Sequence, residues 1–85
     1  MKHARSAALE QLSPFLEEVR RLPGVVEKKL GIFYVKSTAY LHFHEDVTGV
    51  YADVKLNGSE FERFPLNTEK DRKELLDRLR RSRAP

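Results

Sequence analysis

Tyr40-Leu41-His42-Phe43-His44-Glu45-Asp46, followed after Gly49 by Val50-Tyr51-Ala52-Asp53-Val54-Lys55-Leu56, decides how this chain is built. Both runs alternate apolar and polar residues with period two, the pattern of strands with one face buried and one face wet. Turn residues at Asp46-Val47-Thr48-Gly49 join them into an antiparallel hairpin. Ala39, Leu41 and Phe43 must share the core face with Val50, Ala52, Val54 and Leu56, which restricts the hairpin register to one parity. The opposite face then carries Tyr40, His42, His44, Tyr51, Asp53 and Lys55, with Glu45 and Asp46 at its rim. A loop over Asp46–Gly49 sets His44 against Tyr51, His42 against Asp53 and Tyr40 against Lys55. A tight Thr48-Gly49 turn sets His44 against Asp53 instead. Under either register Asp53 faces a histidine across the strands, with Cβ atoms roughly 5 Å apart.

The flanking sequence supplies helices and further strands. Ala8, Leu9, Leu12, Phe15, Leu16, Val19 and Leu22 form the stripe of an amphipathic helix over 4–22. Ser13-Pro14 is a good N-cap and first-turn pair, so the helix either starts firmly there or runs through with a kink at Pro14. Pro23-Gly24 ends it. Val25–Leu30 and Ile32–Val35 read as strands broken by Gly31, and Lys36-Ser37-Thr38 turns into the histidine strand. Asn57-Gly58 signals another hairpin, leading to Phe61–Leu66, where Pro65 implies an edge position. Asn67 or Thr68 caps a final helix with Glu69 and Asp71 in its first turn and Leu75, Leu76 and Leu79 on its apolar side. The expected fold is therefore α+β: a two-layer sandwich with an N-terminal helix, an antiparallel meander of four to five strands and a C-terminal helix, both helices on one sheet face. Phe15, Phe33, Phe43, Phe61 and Phe64 are expected to fill the core.

With 85 residues there is room for one domain over 1–85, with 1–5 and 82–85 expected to fray. The chain has no cysteine, which excludes a disulfide framework, thiolate metal ligands and a cysteine nucleophile, and suits a reducing compartment. No apolar run approaches the ~20 residues of a membrane span. The basic start Met1-Lys2-His3-Ala4-Arg5 is not followed by a signal-peptide core, because Glu10 and Gln11 interrupt it. A cytoplasmic protein without membrane contact is expected. The net charge of +3 is uneven. Arg78, Arg80, Arg81 and Arg83, helped by Arg72 and Lys73, can bind nucleic-acid phosphates. The plainer alternative is a solvated helix end whose cations complement the helix dipole.

The open face holds the candidate chemistry. His42, His44 and Asp53 match the inventory of a 2-His-1-carboxylate site for a divalent metal, although same-face neighbours on one strand lie nearly 7 Å apart at Cα. Alternatively, Asp53 can orient one imidazole as a base for proton transfer. No nucleophile accompanies it, since Ser37, Thr38 and Thr48 lie in turns and no Gly-rich phosphate loop exists. Tyr40, His42, His44, Tyr51 and Asp53 can equally form a contact surface for a protein partner, a second copy of the chain or single-stranded bases, or be ordinary polar residues on a wet sheet face. His3 is expected to stay uninvolved.

The order Leu22-Pro23-Gly24-Val25, a strand, His42-x-His44, a turn and an apolar strand containing Asp53 resembles the small bacterial and fungal "luciferase domain" family. The helix-then-meander layout is similar to the MmcQ/YjbR-like domains, and that resemblance implies a possible DNA-binding role. Neither resemblance implies a reaction. The leading expectation is a non-enzymatic binding module using the face around His42, His44, Tyr51 and Asp53. Metal binding or His-Asp proton transfer at that cluster, and nucleic-acid binding by the basic helix, are the alternatives.

Overall fold

Alternation and helical stripe sort the chain into two layers in the computed structural model, which describes residues 2–3 and 6–84. In chain order the elements are β1 (Lys2–His3), α1 (Ser6–Gln11), α2 (Ser13–Arg20), β2 (Val25–Lys29), β3 (Ile32–Val35), β4 (Thr38–Asp46), β5 (Gly49–Val54), β6 (Glu62–Pro65) and α3 (Glu69–Ser82). Strands β2 to β6 form an antiparallel meander in sequence order, and β1 adds to β4. The expected α+β architecture is what the structure has. No helix among the described residues is long and apolar enough to cross a membrane.

The helical stripes meet one sheet face. Leu9, Leu12, Phe15, Leu16 and Val19 pack with Leu75 and Leu79 against Phe33, Leu41, Phe43, Ala52 and Val54. Burying these side chains contributes roughly 1.5–3 kcal/mol each for the larger ones, the main term holding so small a domain together. The N-terminal helix breaks at Leu12, and Ser13 is its first residue after the break, so it does not cap. Leu12 takes the cap position without a side-chain bond, while its carbonyl accepts from Leu16 N at 2.9 Å. Thr68 caps α3 reciprocally with Asp71. Asn67 serves elsewhere, its Oδ1 accepting from Val50 N at 2.8 Å.

Across the layers, Glu27 accepts a forked pair from Arg20 (2.6 and 3.1 Å) and a bond from Gly31 N (2.9 Å), tying α2 to the β2–β3 hairpin. Lys36 and Ser37 close the β3–β4 hairpin with left-handed φ of +50° and +67°. Pro65 lies on the edge strand β6, where its missing N–H is harmless. Asn57 builds an open turn, its Oδ1 accepting from Ser59 N and Glu60 N, and β6 starts only at Glu62. Phe61 is thereby left outside the core, 40% exposed.

Both chain ends make contacts with the rest of the domain. Lys2 and His3 stand in register with Glu45 and His44, while positions 1, 4, 5 and 85 lie outside the described residues. Ser82 hydrogen-bonds Tyr40, and Arg83 N donates to Leu79 O at 3.0 Å.

Candidate functional site

The β4–β5 hairpin fixes the geometry of the open face. Gly49, at φ +136°, closes the turn against Asn67, a conformation and a close approach that a side chain would disrupt. The register that follows places His44 opposite Tyr51 and His42 opposite Asp53, one of the two alternatives the alternation allowed. Pairing of β5 with β6 then sets Asp53 opposite Arg63 and Tyr51 opposite Pro65.

Asp53 is the centre of this arrangement and is only 8% exposed. Arg63 Nε donates to its Oδ1 at 2.8 Å and Arg63 Nη2 to its Oδ2 at 2.9 Å, a two-pronged fork. His44 Nε2 lies 3.0 Å from the same Oδ2. The Arg63 hydrogen bonds hold the Asp53 carboxyl below its usual range against the opposing effect of burial, and the Arg63 value is raised in return. Asp53 is thus a carboxylate at neutral pH. The His42 ring sits 4.8 Å from the His44 ring, edge-on at 73°. On its other side it meets Phe61 at 4.8 Å and 64°. One nitrogen from each histidine and one oxygen of Asp53 all lie within 4.8 Å of one another.

The two candidate tyrosines differ in placement. Tyr40 does not join the open face: it is 5% exposed, and its hydroxyl is 2.9 Å from Ser82 Oγ on α3. The cause is a β-bulge. Phe33 pairs with Leu41 but Tyr34 pairs with Ala39, so Tyr40 is the extra residue on β4 and its side chain turns to the helix layer beside Leu41. Tyr51 stays on the open face but bonds into the turn, its hydroxyl 2.5 Å from Thr48 Oγ1. Thr48 in turn bonds Asp46, and those bonds lower the Asp46 carboxyl.

Arg63 and Phe61 are the residues that sequence reasoning missed. For Arg63 the alternation gave the face, because Phe64 must share the core side with Ala52, but its place opposite Asp53 comes from the β5–β6 register. Phe61 gave no such signal, since it lies in the turn before β6.

Several cations of the basic helix are engaged by other groups of the chain. Arg72 donates to Leu66 O at 2.9 Å, Arg78 covers the Phe64 ring at 5.5 Å, and Arg80 pairs with Glu18 at 3.1 Å. Arg81 Nε reaches Asp77 O at 3.4 Å and Arg83 Nε reaches Pro23 O at 3.0 Å. Lys73 is exposed on the α3 surface. These contacts tie several of the cations to the chain's own carbonyls, acids and rings.

No protein-family model, curated protein or solved structure matches this chain.

Proposed function

We propose that the chain is a binding domain that takes up a divalent transition-metal ion on its open sheet face, with His42, His44 and Asp53 as ligands. The observation that carries this reading is the convergence of two imidazole nitrogens and a carboxylate oxygen to within 4.8 Å on adjacent strands. Metal–nitrogen and metal–oxygen bonds of about 2.0–2.2 Å place donors of one ion about 3–4 Å apart, so modest side-chain rotations close the set. Imidazole with carboxylate suits zinc, copper, nickel, iron or manganese better than calcium or magnesium. Asp53 supplies the anionic ligand: its carboxyl is held below the usual range, and its Oδ2 lies 3.0 Å from His44 Nε2. Three protein ligands leave positions for water or for a donor from a partner. His42 and His44 are also the two positions that the resemblance to the luciferase-domain family carries over.

Isothermal titration of the untagged protein with Zn²⁺ tests the proposal. One ion per chain is expected, with binding lost in His42→Ala/His44→Ala while the melting transition survives. Absence of binding, or unchanged binding by the double variant, contradicts it.

A further inference from the structure

A second concave site lies where the β3–β4 turn, the residues following β5 and the end of α3 meet. It encloses about 380 Å³, within the range of small-molecule sites. Lys36, Lys55 and Arg83 line it, and among the described residues no aspartate or glutamate does. Val35 and Leu56 form apolar wall, and Tyr40 and Ser82 contribute hydroxyls already bonded to each other at 2.9 Å. We infer that this cleft binds a small organic oxyanion, its charged head against Lys36, Lys55 and Arg83 and its short apolar body against Val35 and Leu56.

Two further observations support the assignment. Arg83 is held in place before any ligand arrives: Nε donates to Pro23 O at 3.0 Å and the guanidinium lies 5.9 Å from the Tyr40 ring centre. Gly24, at φ +75°, makes room for it, since a Cβ there would come within 2.6 Å of Arg83 Nη2. A preset arginine loses less side-chain entropy on meeting an oxyanion. The other observation is the turn that carries Lys36. Lys36 and Ser37 both hold left-handed φ, where hairpins favour Asn-Gly, and such strain collects at binding sites.

The C-terminal dipole of α3 opposes an anion here. Leu79 O and Arg81 O, however, already accept from Arg83 N (3.0 Å) and Ala84 N (3.4 Å), and the Arg83 guanidinium sets a full charge against the partial one that remains. Lys55 stands between this cleft and the histidine cluster, its Nζ 4.9 Å from the Phe61 ring centre. Occupancy of the cleft does not depend on the metal proposal.

Amide chemical-shift mapping of the unaltered, metal-free protein with hexanoate, hexyl phosphate and hexylammonium provides the test. Hexanoate or hexyl phosphate is expected to shift residues 36–40, 55–58 and 82–83 while hexylammonium does not, and the tighter of the two identifies the headgroup. Lys36→Asn with Arg83→Gln should weaken that binding at least about tenfold. The inference is overturned if neither anion shifts these residues, if hexylammonium binds there as well, or if the folded double variant binds the anions unchanged.

Discussion

Replacing Asp53 with asparagine keeps the shape of the side chain while removing its charge and one of its two acceptor oxygens, which separates the roles this carboxylate plays. In the protein without metal it accepts two bonds from Arg63, at 2.8 and 2.9 Å, and lies 3.0 Å from His44 Nε2. Hydrogen bonds to charged groups contribute about 1.5–3 kcal/mol when well shielded. The Asp53 side chain is 11% exposed but that of Arg63 is 47% exposed, so water screens one partner. Asparagine retains one acceptor for the fork. The expected loss of stability is therefore about 1 kcal/mol, read as a lower urea midpoint with unchanged slope. The effect on the ion is larger, because a neutral amide replaces the one anionic ligand beside a dication. Zn²⁺ affinity should fall by roughly two orders of magnitude, about 2.7 kcal/mol. Parallel urea denaturation and Zn²⁺ titration of Asp53→Asn and wild type measure both quantities. Equal Zn²⁺ affinity in the two proteins would refute Asp53 as a ligand, and a collapse of the fold would show that its role is structural.

Three more changes probe the surrounding structure. Arg63→Ala should tighten Zn²⁺ binding several-fold, since it removes a cation that shares Asp53 with the ion; weaker binding in a titration would mean that Arg63 mainly positions the carboxylate. Glu27→Gln should lower stability by about 1 kcal/mol at neutral pH in urea denaturation. The Arg20 hydrogen bonds hold the folded Glu27 carboxyl below its ordinary value of 4.5. Its contribution is therefore present above that value and lost as pH falls through the lower folded one, so wild type and Glu27→Gln should converge in acid; a gap that persists there contradicts the linkage. Tyr40→Phe should cost about 0.5–1 kcal/mol by thermal melting, the worth of one hydroxyl bond, because Ser82 Oγ keeps Leu79 O at 3.2 Å. No loss at all would contradict the placement of Tyr40 under α3.

Alternation made most of the fold legible. Leu41, Phe43, Ala52 and Val54 are core, and the same parity brought His42, His44 and Asp53 to one face before any coordinates. What alternation cannot carry is a change of phase within a strand. The bulge at Tyr40 shifts the pairing of β4 with β3, and nothing in Thr38-Ala39-Tyr40 announces it, since a tyrosine suits either face. The fork from Arg63 needed a second register, that of β5 with β6, across the turn that Asn57 opens beyond a tight hairpin. The arginines of α3 show a different limit. Sequence reports their spacing, but whether Arg80 and Arg83 face solvent or bond to Glu18 and Pro23 depends on elements far away in the chain.

The most direct test of metal ligation on the open face is X-ray absorption at the zinc edge, on wild-type protein carrying one equivalent of Zn²⁺. Two imidazole nitrogens at about 2.0–2.1 Å with a carboxylate oxygen at similar distance are expected, and both imidazole signatures should vanish in His42→Ala/His44→Ala. A shell of oxygen atoms alone, or a spectrum identical in the two proteins, would contradict it.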